Sequence, residues 1–215
     1  MYIVQQNICA MFYNSHNKLD ICHATCMRHD RFIIRDLNLS LNPSSILVIS
    51  GKNGSGKSTL LKNLMGLRKW NKGKVNWNGR NISKDKNNFY KDVIYLGHKN
   101  ALNSDLTVSQ HIKYWQLLNL QNNSIKDSLD SWNLLSMADK PSKFLSKGQA
   151  RRLALLRFVV SKAPLWVLDE PTDNLDRDGM DLFLHLLNKH RQKQGIIIMA
   201  MHQELSLDNV IHLTL

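Results

Sequence analysis

The segment that most restricts the fold of this 215-residue chain is GKNGSGKS, from Gly51 to Ser58. It fits the pattern G-x-x-x-x-G-K-[ST], in which glycines allow backbone N–H groups to curl around phosphate oxygens. The apolar run Ser45–Ser50 precedes it, and leucines at helical spacing follow within Lys57–Leu67. A buried strand that leads through such a loop into a helix favours an α/β phosphate-binding fold over an ordinary glycine-rich turn.

The residue types in this loop suit a nucleotide phosphate. The following helix directs its positive end at anions, and Lys57 adds a mobile positive charge. The Ser58 hydroxyl is a hard oxygen ligand of the kind that Mg²⁺ prefers, so we predict that Ser58 contributes to a metal site. The predicted phosphate-binding residues are Gly51, Lys52, Asn53, Gly54, Ser55, Gly56, Lys57, Ser58 and Thr59.

A pair of carboxylates follows a second buried-type strand in LWVLDE, Leu165–Glu170. Residues at the carboxyl end of such a strand face the crevice where α/β sheets bind ligands. Asp169 is predicted to hold Mg²⁺, and Glu170 to orient and polarise an attacking water. A surface turn with two solvated carboxylates is the alternative, but the phosphate loop favours the catalytic interpretation.

Strands and helices alternate at both ends of the chain, which predicts an α/β class with a largely parallel sheet. Thr107 and Gln110 form a possible capping box for a helix that has Ile112, Trp115 and Leu118 on one face. The other predicted elements are a hairpin arm over Gly73–Ile82, helices over 125–135 and 148–161, and a strand over Ile196–Met201. Residues 1–18 show no periodic pattern, and we predict that they extend from a domain spanning 19–215.

The net charge of +12 indicates a polyanionic partner, without specifying nucleotide, nucleic acid or anionic lipid. Eight of the basic residues lie between Arg68 and Lys91, where a solvated rim is favoured over a headgroup or nucleic-acid patch. No nucleic-acid reading module is visible, so no nucleic-acid partner is expected. If residues 19–26 form a strand, Cys22 and Cys26 point to one face as reduced thiols.

A third element completes a recognisable set: LSKGQ, which comprises Leu145, Ser146, Lys147, Gly148 and Gln149. With the loop at 51–58, the Asp-Glu strand and His202 after the last strand, it resembles the ATP-binding cassette (ABC) family, in the family's order. The family's D-loop corresponds to Asn174, Leu175 and Asp176. The resemblance covers residues 19–215.

The resemblance implies a P-loop ABC ATPase domain that has a mixed, mainly parallel sheet, an antiparallel β arm and a helical subdomain at about 99–160. It also implies ATP and Mg²⁺ as cofactors and a head-to-tail dimer with a second copy. In that dimer, Ser146 and Gly148 of one chain would complete the partner's nucleotide site. Glu170 would activate water, and His202 would hold the γ-phosphate.

Two positions depart from the usual family pattern. The glutamine that leads into the helical subdomain is replaced by His98, in Tyr95-Leu-Gly-His98, and the resemblance still implies a catalytic role there. Histidine differs from glutamine in that it titrates near neutrality. The aromatic residue that normally stacks on adenine aligns with Arg28 or His29, whereas Phe32 lies too far along the chain.

Within the family, the chain most resembles the ATPase subunits of cytochrome c maturation systems, the haem exporters. The shared features include His98, the run from Leu145 to Gln149 into Arg151-Arg152, and Trp166 before the Asp-Glu pair. The resemblance implies a membrane-spanning permease partner, peripheral attachment at the cytoplasmic face of the bacterial inner membrane, and release of a haem-loaded chaperone. The ATPase of a lipid or lipoprotein transporter is the runner-up, ahead of a nucleic-acid-linked ATPase.

Overall fold

The structure is a computed structural model that describes residues 17–28, 31–202 and 210–215. All but the last two residues of the predicted extension 1–18 lie outside the described residues. The strands are β1 (Leu19–Arg28), β2 (Arg31–Leu41), β3 (Ile46–Ser50), β4 (Lys72–Trp77), β5 (Arg80–Asn81), β6 (Val93–Leu96), β7 (Leu165–Asp169), β8 (Ile196–Ala200) and β9 (Val210–Thr214). The helices are α1 (Lys57–Leu64), α2 (Lys86–Phe89), α3 (Val108–Asn119), α4 (Ile125–Asp130), α5 (Lys147–Val159) and α6 (Arg177–Gln192), with 3₁₀ turns at Leu135–Met137 and Ser142–Phe144.

A five-stranded parallel sheet in the order β6-β7-β8-β3-β9 forms the centre of the fold. The inner strands β7, β8 and β3 are apolar along almost their whole length because both of their faces are covered. In β3, for example, Ile46 and Val48 pack into the core on the side of α3, α5 and α6, whereas Leu47 and Ile49 pack toward α1 and the second sheet. The strands predicted at 45–50, 165–168 and 196–201 are confirmed as β3, β7 and β8.

A separate antiparallel sheet in the order β2-β1-β4-β5 contains the hairpin arm predicted over 73–82. Strand β1 is interrupted at His23, which has a φ of +48° and lies where the register with its neighbours shifts. The shift puts Cys26 in the core and leaves Cys22 half-buried. The prediction that the two cysteines share one face is therefore wrong, because a β-bulge reverses the alternation between them.

The segment between β6 and β7 is helical, as predicted. Thr107 caps α3 in a capping box with Gln110, and Ile112 and Trp115 are buried. Leu118, predicted to share their face, is 65 % exposed. The buried face of α3 is therefore narrower than the sequence indicates. The helix predicted over 125–135 ends at Asp130, and its last residues belong to a loop and a 3₁₀ turn.

The eight basic residues between Arg68 and Lys91 are all exposed, along the rim of the antiparallel sheet and α2. Exposed side chains are expected of a solvated rim and of a headgroup or nucleic-acid patch alike. Within the described ranges, none of the helices combines the length and apolar character needed to cross a membrane.

Candidate nucleotide-binding and catalytic site

Neighbouring parallel strands deliver the candidate residues to one edge of the central sheet. The glycine-rich loop follows β3, Glu170 follows β7, His202 follows β8, and His98 follows β6. Since β6, β7, β8 and β3 are consecutive in the sheet, their carboxyl ends bring these residues together. This edge is where open α/β sheets bind ligands.

The glycine-rich loop turns directly into α1, whose first residue is Lys57. Gly56 precedes it with a φ of +111°, in a region that L side chains rarely adopt. A Cβ on Gly56 would also lie 2.8 Å from side-chain carbons of Ile33. Glycine therefore meets two requirements at this position, the backbone conformation and the close approach of β2.

Lys57 is almost completely buried, with 6 % of its surface exposed. Its Nζ donates to the carbonyl oxygen of Gly51 at 2.9 Å and lies 3.4 Å from Oε1 of Glu170. His202 completes this group, since its Nε2 lies 3.1 Å from the same Glu170 oxygen. Lys57, Glu170 and His202 thus lie in mutual contact.

The two predicted metal ligands are also adjacent. The Ser58 hydroxyl donates to Oδ1 of Asp169 at 3.1 Å, and Asp169 is 2 % exposed at the end of β7. Two hard oxygen donors on different elements converge here, as Mg²⁺ coordination requires. The residues present therefore fit a magnesium ion.

A cavity of about 420 Å³ joins these residues to the loop. Its walls include Gly54, Lys57, Ser58, Glu170 and His202, together with His98 from the segment after β6. Asp173 also lines the cavity, and its Oδ2 lies 4.0 Å from Nδ1 of His98. Sequence reasoning missed Asp173, although a carboxylate three residues beyond Glu170 was a signal that could have found it.

The LSKGQ segment forms the start of α5, and Ser146 caps that helix in a capping box with Gln149. Leu145 and Lys147 line a second cavity of about 360 Å³, which shares His98 and Asp173 with the first. Among the described residues, none of the five LSKGQ residues lines the cavity at the glycine-rich loop. The LSKGQ segment therefore lies apart from the glycine-rich loop of its own chain, as expected if it completes the nucleotide site of a second copy.

The segment Asn174-Leu175-Asp176 packs against the start of α5. A Cβ on Gly148 would lie 2.9 Å from the carbonyl oxygen of Asn174, so a larger residue at 148 would collide with backbone. Arg152 forms an ion pair with Asp176 and, with the Gly179 N–H, holds the pKa of that carboxyl below its usual value. The predicted signature and D-loop are thus packed together within one chain.

The residues near the predicted adenine position differ partly from the sequence-based expectation. Arg28 lines the loop cavity, while His29 lies outside the described residues. Phe32, which the sequence analysis placed too far along, lines an adjoining cleft with Arg28 and Gly54. The β1–β2 pairing explains this, because it sets Phe32 opposite Met27.

Comparison with known proteins agrees with this geometry. A family sequence model described as "ABC transporter" matches residues 34–173. The chain belongs to the ABC transporter family. It is an ATP-hydrolysing ABC ATPase. The matched domain binds nucleotide, and it includes the loop at Gly51–Ser58.

Relatives of this ABC protein share its length as well as its family. The chain is 36 % identical over 189 residues to the "Cytochrome c biogenesis ATP-binding export protein CcmA" of Yersinia pestis bv. Antiqua, covering 87 % of each chain. It is 34 % identical over 202 residues to the protein of the same name from Haemophilus influenzae, covering 93 % of this chain and 95 % of the relative. A putative ABC transporter ATP-binding protein from Pyrococcus furiosus has a similar structure, with a TM-score of 0.79, 26 % identity, and coverage of 92 % of this chain and 97 % of that chain.

Proposed function

We propose that this protein is the ATP-hydrolysing subunit of a cytochrome c biogenesis complex of the haem-exporter type. The observation that carries the proposal is the contact of Lys57, Glu170 and His202 at the carboxyl edge of the sheet. Relatives named CcmA, which match nearly the whole chain, support the cytochrome c assignment. Hydrolysis would be coupled to the release of a haem-loaded chaperone, as expected from the sequence resemblance.

The loop at Gly51–Thr59 would bind the phosphates of ATP. Its backbone N–H groups and the start of α1 supply partial positive charge, and Lys57 supplies a full one. A triphosphate in the cavity would compete with Glu170 for the Lys57 ammonium. Binding would therefore release the Glu170 carboxylate from that ion pair at the point where it is needed.

Ser58 and Asp169 would hold Mg²⁺. The ion would supply positive charge that neutralises the phosphate oxygens. Asp169 is suited to this role because it is buried at the end of β7 and already accepts the Ser58 hydrogen bond.

Glu170 would act as the general base that takes a proton from the attacking water. His202, 3.1 Å from the Glu170 carboxylate, would orient that carboxylate and donate to the γ-phosphate. His98 reaches the same cavity from the segment after β6, opposite Asp173. An imidazole there can donate to or accept from the water, as the family's usual glutamine does.

A second copy of the chain would complete each site. Ser146, Lys147 and Gly148 lie at the N-terminal end of α5, whose backbone N–H groups can receive a γ-phosphate from the partner. In one chain they lie apart from the glycine-rich loop. This separation supports a head-to-tail dimer in which each LSKGQ segment faces the partner's nucleotide.

The complex would include a membrane-spanning permease of the cytochrome c maturation type. This ATPase would then be a peripheral protein at the cytoplasmic face of the bacterial inner membrane. We place the docking surface in the helical region at 107–145. That region presents the exposed apolar side chains Tyr114, Leu117 and Leu118 on α3.

Two measurements test this function. We expect Glu170→Gln to keep ATP affinity but to slow ATP turnover by about a hundredfold or more, the scale of a lost general base. Unchanged turnover would remove Glu170 from this role. Co-expression with a membrane-spanning permease of the cytochrome c maturation type should move the protein into the membrane fraction, and Leu117→Asp should abolish that shift but not ATP binding.

A further inference from the structure

Arg151 is a buried cation on α5 that the proposed chemistry does not use. It is 2 % exposed, and its guanidinium has five N–H donors. Nε donates to Pro171 O at 3.0 Å, Nη1 to Gly97 O at 3.3 Å and Asn100 Oδ1 at 2.9 Å, and Nη2 to Asp169 O at 3.1 Å and to Glu170 O. The hydrogen-bonding capacity of this side chain is therefore filled.

Three of these acceptors are the carbonyl oxygens of consecutive residues, Asp169, Glu170 and Pro171. Glu170 has a φ of +49°, a left-handed conformation that a non-glycine residue keeps only where its surroundings hold it. Carbonyls of three successive residues can converge on one group only while this turn persists. Arg151 thus stabilises the backbone conformation that aims the Glu170 carboxylate into the cavity.

The other two acceptors lie on the segment after β6. Gly97 and Asn100 flank His98, and both are bound by Nη1 of Arg151. The same guanidinium therefore connects the two loops that place Glu170 and His98 on the loop cavity. Arg151 also lies on α5 only five residues after Ser146, the cap of that helix.

We propose that Arg151 is a positioning residue. It fixes the loops that carry Glu170 and His98 relative to each other and to the LSKGQ segment of the same chain. The inference rests on the proposed function, because it assigns Arg151 an effect on turnover that passes through Glu170. Nucleotide held by the partner would contact Ser146 at the start of α5. A displacement of α5 on that contact would also move Glu170 and His98 of the same chain, because Arg151 connects them.

Charge and shape both favour arginine for this role. Burial lowers the pKa of Arg151, and the nearby carboxylates of Asp173, Asp169 and Glu170 act in the opposite direction. The guanidinium remains protonated, as arginine does in proteins. A lysine would keep the charge, but its single nitrogen cannot span five acceptors on two loops.

The first test compares Arg151→Lys with a matched control, Arg157→Lys. Arg157 lies on the same helix and donates to the Tyr95 carbonyl oxygen, away from Glu170 and His98. We expect Arg151→Lys to lower kcat for ATP by about a hundredfold and to change KM by no more than about twofold, since the glycine-rich loop is untouched. Arg157→Lys should keep kcat within about twofold of the wild type. Equal kcat values for the two variants would overturn the proposal.

A double-mutant cycle distinguishes an effect of Arg151 on turnover that passes through Glu170 from a general effect on the structure. If Arg151 acts through Glu170, the variant Arg151→Lys with Glu170→Gln should hydrolyse ATP at the rate of Glu170→Gln alone, measured in long single-turnover incubations. Two rate losses that multiply would contradict the proposal. If Glu170→Gln alone keeps the wild-type rate, the proposed function fails rather than this inference.

A milder variant covers the case in which Arg151→Lys does not fold. Asn100→Ala removes one acceptor and leaves four backbone carbonyls bound to the guanidinium, those of Gly97, Asp169, Glu170 and Pro171. We expect it to lower kcat by about tenfold, the scale of one lost hydrogen bond to a charged group, with ATP affinity unchanged. An Asn100→Ala enzyme with wild-type kcat would contradict the claim that the contact between Arg151 and Asn100 positions His98.

Discussion

Folding stability should depend on pH through His190, a buried histidine on α6. It is 2 % exposed, and its ring stacks on that of Trp166 with centroids 3.6 Å apart. Its Nε2 lies 3.2 Å from the Pro164 carbonyl oxygen. Burial lowers the pKa of His190 to about 3 from the usual 6.5, because an imidazolium would lose its hydration there.

The sign of the effect follows from proton binding in the two states. Between pH 6.5 and 3, the unfolded chain binds a proton at residue 190, whereas the folded chain does not. The free energy of unfolding therefore falls as pH falls through this window. For a single group with these two pKa values, the loss between about pH 7.5 and pH 5 is about 2 kcal/mol.

The assay is urea unfolding at both pH values, for the wild type and for His190→Phe. Phenylalanine keeps a planar ring for Trp166, and the Pro164 carbonyl still accepts from the Ile196 N–H at 2.8 Å. The pH-dependent loss of stability should be about 2 kcal/mol smaller in His190→Phe than in the wild type. His185→Gln, which removes an exposed histidine from the same helix, is the control and should keep most of the wild-type loss. Equal losses in the wild type and in His190→Phe would refute the reasoning.

The remaining predictions concern one binding residue, one glycine and one helix cap. Lys57→Ala should weaken ATP binding, because it removes a full positive charge from the glycine-rich loop, and titration with a fluorescent ATP analogue measures this. Gly195→Ala should lower the free energy of unfolding by about 2 kcal/mol or more in urea, since the new Cβ would lie 2.1 Å from the His190 ring. Thr107→Ala should lower it by about 1 kcal/mol through loss of the α3 cap, with ATP affinity unchanged.

Much of the candidate site could be predicted from the sequence, because its parts are local. The loop at Gly51–Ser58 needs glycines at set positions in a strand-loop-helix unit, and a short segment specifies all of them. Glu170 was found by its position after a buried apolar run, and His202 by the family resemblance, which places it after the last strand. Residues that depend on distant partners were missed, namely Asp173 opposite His98 and Arg151 beneath the Glu170 turn.

The fold shows the same division. Hydrophobic pattern predicted β3, β7 and β8, and the Thr107–Gln110 capping box predicted the start of α3, since both signals are local. It could not predict the bulge at His23, which separates Cys22 from Cys26, because a bulge arises from pairing with β2 and β4. Nor could it show that Leu118 is exposed, since this depends on how closely neighbouring helices pack.

The sequence by itself determined the chemistry of this protein: a phosphate-binding loop, a carboxylate pair, and a signature that together specify an ABC ATPase. Only the tertiary structure decided how these parts are held. A strand order of β6-β7-β8-β3 brings four separate segments to one edge, and Arg151 fastens two of them. These contacts join residues that are 19 positions apart in the chain, between Arg151 and Glu170, and 54 apart, between Arg151 and Gly97, so no local pattern records them.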